Sequence, residues 1–208
     1  MKLVLASGNS GKLRELDALL APLGFTLLPQ NTLGVPEADE PHPTFVENAL
    51  TKARHAARQT GLPSLADDSG LCVAALHGAP GVHSARYAPE NSIEHRIEHR
   101  IEHRDQRNNH HLIANLHGIH DRTAWYYCVL VLMRHAHDPQ PLIAEGVWHG
   151  EIIDIPRGQH GFGYDAHFFL PAQGKTAAEL DPVEKNRLSH RAMALHQLVA
   201  RLQEQSMP

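Results

Sequence analysis

The chain has few of the residues that mark secreted, membrane-spanning or nucleic-acid-binding proteins. Only two of its 208 residues are cysteine, Cys72 and Cys128, and their spacing matches no metal motif. This scarcity argues against a disulfide framework and predicts a reducing, cytoplasmic location. The longest apolar run, residues 128–133, is far too short to span a bilayer. No basic segment followed by an apolar stretch opens the chain, so we expect no secretion signal.

The chain also has no excess of positive charge. Its formal net charge is −4 with neutral histidines, which argues against bulk binding of nucleic acid. We therefore expect neither a nucleic-acid nor a membrane partner, and a bound polyanion would need a local site and a metal. The length of 208 residues predicts a single domain over residues 1–208 with a substantial core.

Histidine, in contrast, is abundant. The chain has eighteen histidines, and the tetrapeptide Ile-Glu-His-Arg occurs three times in tandem at residues 93–104. The surrounding pattern predicts an extended polar helical segment over about residues 91–118. His95, His99 and His103 are i, i+4 neighbours on such a helix, a spacing that suits a transition metal. We favour a surface helix lengthened by a short duplication.

The opening stretch carries the first functional pattern. Residues 2–6 read as a short apolar strand, and Leu13, Leu16, Leu20 and Leu23 recur at helical spacing after it. The polar loop between them suits a phosphate cradle, because glycines allow close approach of backbone amides and a helix start favours anions. The candidate ligands are Ser7, Gly8, Asn9, Ser10, Gly11 and Lys12.

Two other interpretations of this loop are a P-loop and a plain turn. A P-loop needs a glycine six residues before Lys12 and a hydroxyl residue after it, whereas the chain has Ala6 and Leu13 there. A plain turn with a helix cap fits the same residues as well as a phosphate cradle does.

The remaining pattern predicts alternating strands and helices, which favours an α/β fold. A capping box at Thr44 and Glu47 predicts a helix up to about Thr60, and Asp181 caps a last helix that continues to the C-terminus. The predicted strands are residues 25–29, 64–66, 123–134 and 142–155.

Two carboxylates follow the strand 64–66. Asp67 and Asp68 are adjacent, so only one of them faces a given side, where it would hold Mg²⁺ or orient a water. A solvated turn is the other interpretation, since Asp, Ser and Gly are common turn residues. One of the upstream acidic residues would complete a metal shell; they are Glu37, Asp39, Glu40 and Glu47.

Two further patterns suit a nucleobase. A glycine-framed loop carries two aromatic residues, whose rings stack on a base or anchor a turn. The last helix carries donors that read the acceptors of a keto-purine or cover phosphates, although a basic helix face is usually just solvated. The residues are Phe162, Gly163, Tyr164 and Asp165 in the loop, and Lys185, His190 and Arg191 near the helix start.

Taken together, six motifs in this order resemble the inosine/xanthosine triphosphate pyrophosphatase family. They are residues 7–12 with Glu15, 45–49 with Lys52, 66–70, 78–87, 161–165, and 184–191. The resemblance implies an elongated mixed β-sheet flanked by helices, in two lobes with a central nucleotide cleft. It implies a Mg²⁺-dependent homodimer that hydrolyses dITP, ITP and XTP to the nucleoside monophosphate and pyrophosphate.

The same resemblance implies roles for single residues. Residues 7–12 and Lys52 would hold the triphosphate, and Ser69 would contact the nucleotide. Asp68 would be both a metal ligand and the general base for water attack at the α-phosphorus. Glu40 is the expected second metal ligand, with Asp39 as the alternative. The implied base pocket comprises Phe162, Gly163, Tyr164, Asp165, Lys185, His190 and Arg191.

The chain departs from the family pattern in a few places. Ala166 stands where the family usually has proline, and His83 where an aromatic is common, which puts loop rigidity and the pocket wall in question. The repeat at 93–104 matches no site motif. Two other functions remain open on the sequence: a non-catalytic nucleotide- or metal-binding protein, and a broad phosphatase that releases orthophosphate.

Overall fold

The fold was analysed in a computed structural model, which describes residues 2–89 and 101–205, with side chains from residue 104 onward in the second range. Within these residues one sheet has seven strands, in the order β2-β1-β3-β4-β5-β6-β7. The strands are β1 (Lys2–Leu5), β2 (Thr26–Pro29), β3 (Ser64–Val73), β4 (Thr123–Met133), β5 (Leu142–Ile152), β6 (Phe168–Leu170) and β7 (Lys175–Thr176). The α-helices of the described chain are α1 (Ser10–Leu20), α2 (Phe45–Thr60), α3 (Ile101–Asn115), α4 (Pro182–Leu188) and α5 (His190–Gln205).

The sheet is mixed and flanked by helices, which confirms the predicted α/β class. Strand β1 pairs in parallel with β2 and with β3. Strand β6 pairs antiparallel with β5 and with β7. The parallel part follows from helical crossovers between the first strands, because parallel neighbours need a long connection.

The chain divides into two compact units, which are described separately. The first comprises Met1–Ser69, Tyr127–Val147 and Asn186–Pro208. Its sheet carries a core on each face because side chains alternate along a strand. On β1, Leu3 and Leu5 belong to one cluster, which includes residues of α1 and α5. Val4 belongs to the other, together with alanines of α2.

The second unit comprises Gly70–Tyr126 and Trp148–Lys185. Aromatic side chains of three strands pack together in it. The ring of Phe168 lies 4.6 Å from that of Tyr126 and 5.5 Å from that of Trp148, centroid to centroid. Such tilted contacts between large apolar rings stabilise a core beyond the area they bury.

Strand β3 is longer than predicted. The sequence places Asp67 and Asp68 in or before a turn after a short strand 64–66, but β3 continues to Val73 and includes both carboxylates. The turn interpretation is wrong because Asp67 is fully buried and paired with cations, so tertiary ion pairing overrides the local preference of Asp, Ser and Gly for turns.

The last predicted helix is divided in two. Helix α4 ends at Leu188 and α5 begins at His190, with Ser189 between them. The hydroxyl of Ser189 accepts a hydrogen bond from the amide of Ala192 at 3.3 Å. Ser189 thereby caps the start of α5, a role that serine fills well because its oxygen satisfies an unpaired amide.

Other predicted bounds change less. Helix α1 ends at Leu20, and Leu23 lies in a short 3₁₀ turn with 48% of its surface exposed, so it does not share the buried face. Strand β5 ends at Ile152 rather than at residue 155. Of the predicted helical segment 91–118, α3 covers Ile101–Asn115, and residues 91–100 lie outside the described part of the chain. Among residues 2–89 and 101–205, no helix has both the length and the apolar character that a membrane span requires.

Candidate functional site

The predicted phosphate loop connects β1 to α1 in the first unit. The side-chain oxygen of Asn9 accepts hydrogen bonds from the amides of Gly11 at 2.8 Å and Lys12 at 3.1 Å. Asn9 is therefore the N-cap of α1 and occupies two of the amide donors on which a phosphate cradle depends. The amide of Asn9 in turn donates to the hydroxyl of Ser7 at 3.2 Å. A side chain at position 8 would meet only the carboxylate end of the exposed Glu37 side chain, which lies directly over Gly8.

Lys12 does not point away from the protein but toward β3. Its ammonium lies 2.5 Å from Oδ1 of Asp67, and its side chain keeps 15% of its exposure. The first turn of α1 and the middle of β3 are thus joined by an ion pair. This places the predicted phosphate-binding lysine next to the pair of aspartates.

Asp67 is the centre of a buried ionic network. Its Oδ2 accepts from Nε of Arg191 at 2.8 Å and from the thiol of Cys128 at 3.2 Å. Its Oδ1 accepts from the hydroxyl of Ser69 at 2.8 Å. A carboxylate that is completely buried requires such compensation, since an uncompensated buried charge is very costly.

Arg191 is held on three sides of its guanidinium group. Besides Asp67, its Nη1 contacts the carboxylate of Glu15, and its Nη2 donates to the hydroxyl of Ser69 at 3.0 Å. Only 2% of Arg191 is exposed. The predicted nucleotide contacts Ser69 and Arg191 therefore bond to each other in this structure.

Asp68 is paired differently from its neighbour. Its Oδ1 accepts from Nζ of Lys52 at 2.6 Å, and the same nitrogen donates to Oε1 of Glu40 at 2.8 Å. Lys52 also donates to the backbone carbonyl of Asp67 at 2.9 Å. The structure thus brings together the predicted base, the predicted second metal ligand and a predicted phosphate-binding lysine. Glu40 lies 12 positions before Lys52 in the chain, and Asp68 lies 16 positions after it.

The two adjacent aspartates have opposite pKa shifts. Burial raises the pKa of Asp68, and the nearby Lys52 and Lys12 do not cancel that effect. Burial also opposes ionisation of Asp67, but Arg191 and Lys12 outweigh it and hold its pKa well below the usual range. Asp67 is therefore a permanent anion, whereas Asp68 is the more basic carboxylate and the better proton acceptor.

Lys52 remains a cation between its two carboxylates. Burial lowers its pKa, but the contacts with Asp68 and Glu40 outweigh burial, and the net shift is upward. Two carboxylate oxygens that approach one nitrogen within 2.8 Å are also close enough to share one metal ion. Mg²⁺ on a nucleotide is usually bound by one or two carboxylates plus phosphates, so this pair fits it.

Larger metal-binding groups are not found. Within the described residues, no three His, Cys, Asp or Glu side chains are placed to hold a metal ion. The repeat histidines His95, His99 and His103 lie outside the residues whose side chains are described. The predicted alternative ligand Asp39 is exposed, and it is Glu40 that contacts Lys52.

The second unit holds the other predicted cluster. Nζ of Lys185 lies 2.6 Å from Oδ2 of Asp165 and 5.1 Å from the centroid of the Phe162 ring. The amide of Phe162 donates to the same Oδ2 at 2.9 Å. Asp165 and Lys185 are both buried. The predicted base-contacting loop and Lys185 are therefore brought together.

Tyr126 also contacts the buried pair of Asp165 and Lys185, through Asp165. Its hydroxyl donates to Asp165, and burial first, then the nearby Asp165 carboxylate, raises the pKa of Tyr126 well above its usual value. Tyr164 lies in the same loop and donates from its hydroxyl to the carbonyl of Ser84 at 2.8 Å. A loop side chain that appeared free to contact a base is thus anchored to a neighbouring segment.

The first turn of α5 packs closely on β5. A side chain on Gly146 would lie 2.7 Å from the amide of Ala194 and would collide with the carbonyl of His190, so glycine is required at this crossing. His190 is buried there. The close approach fixes the start of α5, and with it the predicted nucleotide contacts His190 and Arg191.

Three residues of these clusters make contacts that the sequence did not assign to them: Asp67, Glu15 and Tyr126. Asp67 was recognised only as the neighbour of Asp68, although adjacent carboxylates on a strand face opposite sides and so require separate partners. Glu15 was part of the first family motif, but no role was predicted for its side chain. Tyr126 lay in a predicted strand, and nothing in the sequence indicates that its hydroxyl contacts Asp165.

Comparison with known proteins adds an independent finding. Residues 3–201 match the model of the Ham1 family. A dITP/XTP pyrophosphatase of Burkholderia pseudomallei is 63% identical over 203 residues, covering 98% of this chain and 94% of that protein. One of Nitrosomonas europaea is 61% identical over 203 residues, covering 98% and 95%. A solved structure of a HAM1 protein from Coxiella burnetii is 50% identical with a TM-score of 0.85, covering 98% of this chain and 99% of that one.

Proposed function

This chain belongs to the Ham1 family, and from that membership we propose that it hydrolyses dITP, ITP and XTP to the nucleoside monophosphate and pyrophosphate. The two relatives named dITP/XTP pyrophosphatase above are 63% and 61% identical to it over nearly the whole chain. Such hydrolysis removes non-canonical purine nucleotides from the nucleotide pool. The observation that carries the proposal is the cluster of Asp68, Lys52 and Glu40 on β3, α2 and the segment before α2.

The proposed roles follow from charge and basicity. Asp68 accepts the proton of the water that attacks the α-phosphorus, because burial makes it the more basic of the two aspartates. Lys52 and Lys12 neutralise the triphosphate, which matters more in phosphoryl transfer than a covalent nucleophile does. Residues 7–11, at the end of the loop and the start of α1, contribute their hydroxyls and the backbone amides that Asn9 does not occupy to phosphate binding.

Mg²⁺ is the metal we propose, with Asp68 and Glu40 as its protein ligands. When bound with the triphosphate, it neutralises phosphate charge and polarises the reacting phosphorus–oxygen bond. Asp68 and Glu40 both contact Lys52, so a Mg²⁺ held by these two carboxylates would lie beside this ammonium. Lys52 would then supply positive charge to the phosphates next to the metal.

Selection of a 6-keto purine is assigned to hydrogen-bond donors. We propose that Lys185, His190 and Arg191 contact the nucleotide, with Phe162 stacking on the base, and with Gly163, Tyr164 and Asp165 shaping that loop. A 6-amino group presents donors where the protein also presents donors, and leaving buried donors unpaired is worth several powers of ten in discrimination. Ser69 is the further proposed nucleotide contact.

The proposal also includes the oligomeric state, the domain organisation, the cellular location and the partners of the protein. The family resemblance supports a homodimer and a single pyrophosphatase domain over residues 1–208. The two free thiols, Cys72 and Cys128, support a cytoplasmic location, where cysteines stay reduced. Small-molecule purine nucleotides are the proposed partners, without nucleic acid or membrane.

Replacing Asp68 tests the proposal. Asp68→Asn keeps the shape of the side chain and removes the proton acceptor, so we expect pyrophosphate release from dITP to fall by about two to four powers of ten. Nucleotide binding, measured by calorimetry, is expected to survive. Asp17→Asn, the same change at an exposed position of α1, is the matched control. Turnover retained by Asp68→Asn would remove Asp68 from the mechanism.

A further inference from the structure

Helix α3 holds both backbone polar groups of one glycine in the second unit. Oδ2 of Asp105 accepts from the amide of Gly163 at 2.7 Å. Nδ2 of Asn109 donates to the carbonyl of Gly163 at 3.0 Å. Asp105 and Asn109 are four residues apart, so they lie on the same helix face, one turn above the other. An acceptor and a donor on α3 therefore match the two backbone groups of the glycine, and the carboxylate of Asp105 also lies 3.7 Å from Nε of Arg104.

The residue between them anchors a second segment. Asn108 is buried and donates to the carbonyls of Ser84 at 3.3 Å and Ala85 at 3.2 Å. Its side-chain oxygen accepts from the amide of Ala88 at 2.9 Å. Tyr164 donates to the same carbonyl of Ser84. Residues 105–109 of α3 therefore hold both the loop around Gly163 and the segment 84–88, whose residue Ser84 binds Tyr164.

The position of this loop depends on contacts with other segments, because the loop forms no backbone hydrogen bonds of a strand or a helix. Residues 158–165 belong to no strand or helix, and Gly161 and Gly163 have φ angles of +80° and +63°, which other residues rarely adopt. Its internal bonds are the amide of Phe162 to Asp165 and a long amide bond of 3.3 Å from Asp165 to the carbonyl of Phe162. The carbonyl of Tyr164 accepts from the amide of Phe168 in β6 at 3.0 Å, and Asp165 contacts Lys185 of α4. The two bonds from α3 hold the backbone amide and carbonyl of Gly163 itself.

We propose that Asp105 and Asn109 are positioning residues that set the selectivity of this enzyme for its purine base. By holding Gly163 they place the ring of Phe162 and the carboxylate of Asp165, and Asp165 in turn holds Lys185. A shift of the loop moves the stacking ring and the donor together, and misplacement by about 1 Å has large effects on a bound substrate. This inference rests on the proposed role of the loop in base recognition.

The histidine-rich repeat lies directly before these positioning residues in the chain. The third copy of Ile-Glu-His-Arg ends at Arg104, directly before Asp105. Asp105, Asn108 and Asn109 follow the repeat and are not part of it.

The test compares variants on α3. Asp105→Ala removes the acceptor, Asp105→Asn keeps an oxygen acceptor, and Asn109→Ala removes the donor. Gln106→Ala is the control, an exposed position next to Asp105 on the same helix. Each variant is measured in two ways: hydrogen exchange of the segment 161–165, and kcat and KM with ITP and with ATP.

We expect the two alanine variants at positions 105 and 109 to accelerate exchange in this segment about tenfold, the factor that corresponds to one lost hydrogen bond. KM for ITP rises by a similar factor, the preference for ITP over ATP in kcat/KM falls, and kcat with ITP changes little. Asp105→Asn and Gln106→Ala behave like the unmodified protein.

Two results overturn the inference. Unchanged exchange in 161–165 would show that α3 does not hold the loop. An equal loss of kcat with both nucleotides, at unchanged preference, would show a role in stability alone. If the unmodified protein released no pyrophosphate from ITP, the proposed function would fail, while the exchange measurement would still decide whether the loop is held.

Discussion

Replacing Asp67 by asparagine is the most informative perturbation of the buried network. The two side chains have nearly the same shape, but the amide carries no charge and offers one acceptor oxygen in place of two. Asp67 accepts from Lys12 at 2.5 Å and from Arg191 at 2.8 Å, at a position with no solvent exposure. In Asp67→Asn, the side-chain NH₂ group of the asparagine therefore points at one of these two cations.

The expected cost follows from the partners that remain. Removing one member of a buried ion pair costs about 3–5 kcal/mol of stability, because the other charge is left uncompensated. Arg191 keeps its contacts with Glu15 and Ser69, and Lys12 keeps part of its exposure. We therefore expect the lower end of this range, about 3 kcal/mol, which a domain of ordinary stability survives.

Urea unfolding at pH 7, followed by circular dichroism, measures this loss. Asp17→Asn, an exposed aspartate of α1, is the matched control and should stay within about 0.5 kcal/mol of the unmodified protein. We also expect KM for dITP to rise in Asp67→Asn, because Lys12 loses its anchor. An Asp67→Asn protein as stable as the control would refute the view that this carboxylate compensates two buried cations.

Three more predictions concern the loop between β4 and β5, the Ile-Glu-His-Arg repeat and the metal. Asp138 accepts from the amide, Nε and Nη2 of Arg134 and from the amide of Gln140, and these bonds hold its pKa below the usual value. Asp138→Asn should therefore cost about 2 kcal/mol at pH 7 in urea unfolding. The stabilisation is present above the unfolded pKa of about 4 and is lost as the pH falls toward the depressed folded pKa, so a gap equally large at pH 2 would contradict this cause. Deleting residues 97–104 leaves one copy of Ile-Glu-His-Arg before Asp105 and should keep kcat/KM for dITP within about threefold, whereas a larger loss would show that the repeat contributes to activity. Dialysis against a chelator should abolish pyrophosphate release and added Mg²⁺ should restore it, because two carboxylates beside a triphosphate need a counter-ion; activity that survives the chelator would remove the metal from the proposal.

Local patterns predicted those elements that local forces determine. Strand β1 ends at Leu5, one residue before the predicted end, and α1 begins at Ser10, inside the predicted loop, because Asn9 caps the helix through its own side chain. Helix α2 begins after Thr44 and ends at Thr60 before Gly61, as the capping residues predicted. In each case the determining contacts join residues only a few positions apart.

The errors arose where distant residues decide the structure. Local propensity allowed a turn at Asp67 as well as a strand end, whereas its partner Arg191 lies 124 positions away and holds it in the middle of β3. The break between α4 and α5 depends on the close packing of α5 on Gly146 as well as on the cap at Ser189. Strands β6 and β7 have three and two residues, too few to show an alternating pattern.

The candidate site was predicted in part for the same reason. Asp68, Lys52 and Glu40 were named from motifs, and the structure brings them together around one ammonium nitrogen. That Asp67 binds Lys12 and Arg191 could not be read from the sequence, because nothing in a strand pattern identifies the partner of a buried carboxylate. The contacts of Asp105 and Asn109 with Gly163 span more than fifty residues and leave no local pattern.

The central claim is the reaction itself, and one assay tests it most directly. Purified protein is incubated with Mg²⁺ and, in parallel, with dITP, ITP, XTP, ATP and GTP, and pyrophosphate and orthophosphate are measured separately. We predict pyrophosphate from dITP, ITP and XTP at least about a hundredfold faster than from ATP, since unpaired donors in the base site discriminate by powers of ten. Orthophosphate alone, or no turnover of any nucleotide, would contradict the account.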